Sequence, residues 1–346
     1  MSEDLGAAAP RRPGRPASIR DVAQAAGVSY QTVSRVINSH PRVAPVTREL
    51  VLRSIRELGF RPNRAARALA GGQIDSIGVL TSNTMLYGYA STIAGIEQEA
   101  RRNGLSIGIT VLAEPQPAAV RAAVERTLMP GGAVVVLAFD RAGELALAVV
   151  EELAPALGVR VAAALQSRGD APDPARPWCW LDDRVAAREA TRYLLDLGHA
   201  TVHYIELPSS TGEAQRTAGW REALLEAGID PPVPVPGGWD CAAGYRAGRA
   251  LAADPAVTAV LCGNDDLAVG VLSALREAGR PVPASVSVVG FDDMPQSAYL
   301  APALTTVRLD FVGLGRDCVA LLDPAGGFLP PIRRAELIVR RSSGPS

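Results

Sequence analysis

Four side chains on one short segment, Tyr30, Gln31, Ser34 and Arg35, are of the types that read the edges of nucleic-acid bases. Glutamine can bond adenine at two points, arginine reaches guanine O6 and N7, and tyrosine offers a ring and a hydroxyl. Beside them, Ser29 and Thr32 suit phosphate oxygens, with Arg42 and Thr47 as weaker candidates. A second set is spread far along the chain: Arg216, Trp239, Asn264, Asp292 and Phe311. An aromatic face with guanidinium, amide and carboxylate around it is the chemistry of sugar recognition. The charged groups grip paired hydroxyls and the indole covers the C–H face of the ring. Each of these residues also has an ordinary structural use. Asp292 and Asn264 could cap helices, Trp239 could be core and Arg216 could complete a salt bridge, so placement must decide.

The first set needs a helix that turns its polar side outward. Ser18 can cap a helix through Ile19, Val22, Ala23 and Ala26, apolar at i, i+3, i+4 and i+7. Gly27 permits a tight turn, Val28 plugs the angle, and Ser29 caps a second helix from Tyr30 to about Asn38. Val33, Val36 and Ile37 fall on its inner face, which leaves Tyr30, Gln31, Ser34 and Arg35 outside. Two short helices joined by a glycine turn spell a helix-turn-helix, whose second helix presents its amino-terminal residues to the major groove. A third helix follows Pro45, with Val51, Ile55 and Leu58 repeating and Gly59 ending it. Ala44 stands at its cap position, where serine would be usual, and Pro45 at the first helical position partly compensates.

Charge supports this division. Residues 1–72 hold 12 arginines against 5 acids, a balance of +7, while the remainder holds 23 against 31, or −8. A basic head on an acidic body points to a polyanion at one end only.

The second set needs strands. "SIGVL", "LSIGITVL", "AVVVLAF", "RVAAAL", "TVHYIEL", "TAVLCG" and "VSVVGFD" read as buried parallel strands. Amphipathic segments lie between them, such as Ser91–Asn103, Val185–Leu197, Thr217–Ala227 and Leu267–Ala278. Alternation of this kind over about 250 residues means an α/β architecture. Ligands of such sheets bind beyond the carboxyl ends of the strands. Asn264 in "CGNDD", Asp292 in "VVGFDD", Arg216 after "YIELPSS", Trp239 in "PGGWD" and Phe311 after "LTTVRLDF" all fall at such ends.

Several classes are excluded or disfavoured. The chain is 48% hydrophobic, enough for substantial cores, yet no apolar run reaches the ~18 residues of a membrane span. Residues 1–17 carry Arg11, Arg12 and Arg15 without a following apolar segment, which predicts a disordered basic arm and a cytoplasmic protein. Cys179, Cys241, Cys262 and Cys318 are scattered, so buried free thiols are expected, with no metal site and no cofactor. There is no Gly-x-Gly-x-x-Gly, no P-loop and no Gly-x-Ser-x-Gly. His40, His199 and His203 have no nucleophile placed beside them, so an enzyme is not expected.

"IRDVAQAAGVSYQTVSRVIN" and "TRELVLRSIRELGFRPNRAARALAGG" resemble the DNA-binding head of the lac repressor (LacI/GalR) family, and the likeness extends over nearly the whole body. The resemblance implies that "NRAARALAG" is a hinge helix, folded when paired with its dimer mate in the minor groove. Asn63, Ala66 and Leu69 would be its DNA-facing residues, with Leu69 as the wedge that kinks the duplex. It implies a two-lobed, periplasmic-binding-protein-like (type I) body with three crossovers and an effector in the cleft. Arg216, Trp239, Asn264, Asp292 and Phe311 match the family's effector-contacting positions. Ser82, Leu86 and Tyr89 fall in the first-lobe ligand segment, and Asp140 aligns only loosely with a ligand acid. Leu309 departs from the pattern, standing where glutamine is expected.

The expected organisation is therefore a basic arm at 1–17, a helix-turn-helix domain at 18–62, a hinge at 63–73, a core at 74–341 and a tail at 342–346. Lobe 1 is expected at about 74–178 plus 309–330, and lobe 2 at about 179–308 plus 331–341. The function implied is a repressor that binds a pseudo-palindromic duplex and answers to a small sugar, a galactoside by first choice. A nucleobase corepressor is the nearest alternative, and a sugar-binding protein without a DNA role is a more distant one. The chain ends at "ELIVRRSSGPS" without the heptad helix by which family tetramers form, so a homodimer is expected.

Overall fold

In the computed structural model the described residues are 17–37, 42–60, 76–165, 178–208, 214–323, 325, 327–331 and 333–346. The expected arm up to residue 16 and the hinge, including Asn63, Ala66 and Leu69, lie outside them. The chain forms two compact units, residues 1–74 and 75–346.

The first unit is helical. Ser18 and Asp21 form a reciprocal capping box at the start of α1 (Ile19–Ala25): Ser18 N donates to Asp21 Oδ2 at 2.7 Å and Asp21 N donates to Ser18 Oγ at 3.3 Å. Gly27, at φ 61°, makes the turn that a side chain would strain. Ser29 Oγ accepts from Thr32 N at 3.2 Å and so starts α2 (Tyr30–Ile37). The third helix, α3 (Pro45–Leu58), ends in left-handed Gly59, and Ala44 contributes no side-chain cap. Val22, Ala23, Ala26, Val33, Val36 and Val51 are the buried core. This core is small, so the caps weigh heavily in its stability.

The second unit holds two sheets. The first is all parallel in the order β2 (Ser106–Val111), β1 (Ser76–Thr81), β3 (Ala133–Ala138), β4 (Arg160–Leu165), β5 (Trp178–Trp180). β1 is paired on both sides, Val79 with Ile109 on one and Val135 on the other. The second sheet runs β11 (Glu336–Ile338), β10 (Thr305–Arg308), β9 (Ser287–Asp292), β8 (Ala259–Cys262), β6 (His203–Glu206), β7 (Val235–Pro236), parallel except for β10 with β11.

Helices cover both sheets: α4 (Tyr87–Arg102), α5 (Pro117–Thr127), α6 (Arg141–Leu157), α7 (Asp183–Asp196), α8 (Gln215–Glu226), α9 (Cys241–Ala252), α10 (Asp265–Glu277) and α11 (Phe311–Leu321). The chain leaves the first sheet after Trp180. It returns when α11 packs on α4, and crosses again before β11. The first sheet ends at Trp180, close to the boundary expected at about 178, where Cys179 and Trp180 pair with Ala164 and Leu165. Among the described residues no helix is long and apolar enough to cross a membrane.

Two local devices position the carboxyl-end residues of the second sheet. Trp220 on α8 is fully buried, stacks on Tyr204 with centroids 5.5 Å apart, and donates to Val202 O at 2.8 Å. Deleting such a ring from a core costs about 3–5 kcal/mol, so α8 and the Arg216 in its first turn are firmly set. α9 and α10 approach so closely that a Cβ at Gly244 would collide with Leu267 O, and one at Gly270 with Cys241 O.

The expectation of buried free thiols holds for Cys179, Cys262 and Cys318 and fails at Cys241, which is exposed. The turn at the end of β7 delivers Cys241 to the first position of α9, at the rim of the sheet instead of beneath it.

Candidate functional site

In the head, the short α2 turns Val33 and Val36 inward, so Tyr30, Gln31 and Arg35 are exposed and Ser34 is half-buried. Tyr30 keeps 54% of its surface in solvent. Ser29 Oγ and Thr32 Oγ1 lie 2.9 Å apart, and Ser29 also serves as the helix cap. Arg42 is exposed and Thr47 half-buried near the start of α3.

In the second unit, a cleft opens at the carboxyl ends of both sheets. It is lined from the first sheet's side by Leu86, Tyr87, Gly88, Tyr89, Phe139 and Phe311, and from the second's by Leu207, Arg216, Trp239, Asn264, Asp266 and Asp292. The first wall is a lattice of rings. Tyr87 meets Phe311 edge-on at 6.0 Å, and Tyr89 meets Phe139 at 5.1 Å. The room between the walls is narrow, about 30 Å³, roughly what one or two water molecules need.

The second wall is ionic. Arg216 is buried; its Nε donates to Asp183 Oδ2 at 2.8 Å, its Nη1 donates to Gly263 O, and Asp292 Oδ1 lies 3.5 Å from Nη1. The guanidinium also sits 4.2 Å from the centre of the Phe291 ring. Burial pushes the Asp292 carboxyl well above the usual range, with Arg216 pulling the other way and Asp265 and Asp183 adding to the rise. Burial raises Asp183 as well, against the pull of Arg216. Asp292 has φ 106° and Asp293 φ 51°, a left-handed stretch without glycine. Strain of this kind persists only where surrounding bonds enforce it. Here Asp293 is gripped by Arg308 Nε at 2.8 Å and Arg340 Nη2 at 2.6 Å.

Asn264 caps α10, accepting from Leu267 N at 2.8 Å, and its Nδ2 donates to Trp239 O at 3.1 Å. Asp265, next along, accepts from Met294 N at 2.8 Å, Ser297 Oγ at 2.5 Å and Thr306 Oγ1 at 2.6 Å, and burial raises its carboxyl to about 6.

Seven of the nine body residues expected from the sequence line the cleft: Leu86, Tyr89, Arg216, Trp239, Asn264, Asp292 and Phe311. Ser82 and Asp140 do not. Ser82 Oγ donates to Asp140 Oδ2 at 2.5 Å and Tyr89 OH donates to the same oxygen at 3.0 Å. Asp140 Oδ1 caps α6 at Gly143 N, 3.0 Å away. These two residues orient the Tyr89 hydroxyl from behind. Leu309, where a polar side chain was expected, is buried in the core. Sequence reasoning missed Tyr87, Phe139, Leu207, Asp183, Asp265 and Asp266. Asp183, Asp265 and Asp266 all begin helices just after strands, the same signal that singled out Asn264.

The comparisons with known proteins match both units. A profile described as "Bacterial regulatory proteins, lacI family" covers residues 18–63, and one described as "Periplasmic binding protein-like domain" covers 191–343. The lactose operon repressor of Escherichia coli (strain K12) is 33% identical over 309 residues, 88% of this chain and 83% of that protein. The chain belongs to the lacI family. As a member it is a DNA-binding transcriptional repressor regulated by a small-molecule effector, and not an enzyme. A crystal structure of the lac repressor dimer bound to operator and the anti-inducer ONPF aligns with TM-score 0.81 and 30% identity, covering 95% of this chain and 100% of that one. The HTH-type transcriptional repressor PurR of Haemophilus influenzae (strain ATCC 51907 / DSM 11121 / KW20 / Rd) is 32% identical over 319 residues, 88% of this chain and 90% of that protein.

Proposed function

We propose that the effector of this lacI-family repressor is a small sugar, a galactoside by first choice, held in the cleft between the sheets and releasing the operator when it binds. The observation that carries this reading is the convergence of Trp239 with Arg216, Asn264 and Asp292 on one wall, opposite the rings of the other. Arg216 and Asp292 would grip vicinal hydroxyls, Asn264 would bond a third, and Trp239 and Phe311 would cover the C–H faces. Leu86 and Tyr89 complete the first wall, with Ser82 and Asp140 fixing the Tyr89 hydroxyl. A ring-sized guest needs the walls to part, so its binding must alter the lobe geometry. Through a homodimer, that change would displace the paired heads and unfold the hinge around Asn63, Ala66 and Leu69.

On the DNA side, Gln31 and Arg35 would read bases, Tyr30 and Ser34 would support them, and Ser29, Thr32, Arg42 and Thr47 would meet phosphates. Two heads would then occupy successive major grooves of a pseudo-palindrome.

A purine corepressor is the second reading. It is favoured by the PurR relative and by a ring-lined first wall on which a nucleobase could stack. One titration separates the two. Operator binding is followed by fluorescence anisotropy while galactosides, other sugars and purines are added to the full-length chain. The sugar reading expects a galactoside to weaken operator binding, and operator to weaken sugar binding by the same factor. Asp292→Asn should abolish that response while sparing operator affinity. Tighter operator binding with a purine, and no effect of any sugar, overturns it.

A further inference from the structure

The charge inventory of the cleft singles out Asp266. Arg216 is the one cation lining it among the described residues, and it is already engaged by Asp183 at 2.8 Å and Asp292 at 3.5 Å. Asp266 has no comparable partner. It is half-buried in the first turn of α10, and among the described residues no ion pair includes it. Its Oδ1 accepts a weak bond from the Cys241 thiol, 3.6 Å away, and no hydrogen bond to Oδ2 is formed among the described residues. Nearby Asp240 adds further negative potential. The positive end of α10 offsets part of the cost of holding a carboxylate here. The wall therefore offers a free carboxylate acceptor and no free cation.

We propose that Asp266 makes this cleft selective for uncharged or cationic ring ligands and bars anionic ones such as sugar phosphates. This rests on reading the cleft as the effector site. A hydroxyl or ammonium brought to Asp266 gains a charge-assisted bond. A phosphate there meets an unpaired carboxylate, while the charge of Arg216 is already offset by Asp183 and Asp292. Like-charge placement of that kind lowers affinity by about 100-fold or more. Selection against anions is thus a matter of repulsion as much as of attraction for the ligands admitted.

The test is calorimetric titration of the full-length chain and its Asp266→Asn variant with galactose, galactosamine and galactose 6-phosphate, and with the matching glucose series. The wild type should bind the phosphate about 100-fold more weakly than the neutral sugar. Asp266→Asn should narrow that gap about tenfold and remove any preference for the amino sugar. The wild-type ranking is informative by itself, whatever the variant's stability. Phosphate binding within about threefold of the neutral sugar, or a gap unchanged by Asp266→Asn, overturns the assignment. If the glucose series binds with the same charge order and the galactose series does not, the galactoside reading falls and the role of Asp266 stands. Binding by none of the compounds withdraws both.

Discussion

In the head, Tyr30, Gln31 and Arg35 are exposed and their side chains form no hydrogen bond or ion pair among the described residues, whereas in the cleft Arg216, Asn264 and Asp292 are buried and bonded into the fold. The head's proposed base-reading groups are thus separate from the groups that stabilise it, which are Ser18, Asp21, a few valines and Ser29, the last also a proposed phosphate contact. In the cleft the proposed ligand contacts are themselves part of what holds the fold. Arg216 is at once a candidate ligand contact and the counter-charge of two buried carboxylates. Recognition of a polymer from outside can use loose side chains, while recognition of a small guest inside a body must recruit groups the body also needs.

The sharpest way to break this contrast is a pair of substitutions. Arg216→Ala strands Asp183 and Asp292 in the interior and should cost about 3–5 kcal/mol of stability in chemical denaturation. Arg35→Ala should leave stability within about 0.5 kcal/mol of wild type yet cost about 1–3 kcal/mol of operator binding at one base pair. An Arg35→Ala loss that is uniform across all DNA sequences, or an Arg216→Ala protein as stable as wild type, would erase the distinction.

A pH series sharpens the account of the body. Asp265 ionises near 6 in the fold and near 3.9 when unfolded. A raised carboxyl favours the folded protein most when protonated, so its contribution is full below about pH 4 and is lost as pH rises through 6. Relative to Asp265→Asn, the wild type should gain about 1 kcal/mol between pH 7 and pH 5 in denaturant titrations. Parallel pH profiles would remove Asp265 as the source. The smallest effect belongs to the head. Ala44→Ser supplies the missing cap of α3 and should stabilise that unit by about 0.5–1 kcal/mol, read from its melting midpoint, with DNA affinity unchanged.

The head was legible in the sequence almost residue by residue, because caps, a glycine turn and a helical period are local signals. The strand ends were legible too, which brought Arg216, Trp239, Asn264, Asp292 and Phe311 to one cleft. Rings such as Tyr87 and Phe139 were not, since whether an aromatic residue faces a core or a cavity depends on what packs against it from elsewhere in the chain. Asp140 shows the reverse error. Its strand-end position is genuine, but a hydroxyl from Tyr89 and the start of α6 claim its carboxylate first. Asp183 and Asp265 carried the same strand-to-helix signal as Asn264, but their partners, a distant arginine and a distant threonine, are not announced by neighbouring residues.

The close seating of α9 on α10, allowed by Gly244 and Gly270, has a mechanical consequence. Trp239 and Asp240 lead into one helix, Asn264 and Asp266 into the other, and the Asn264–Trp239 bond ties the two entrances. A pull on the indole is therefore felt at the amide and at the carboxylate together. This side of the cleft should respond as one stiff lever, turning a small tug from a guest into a displacement of the whole lobe.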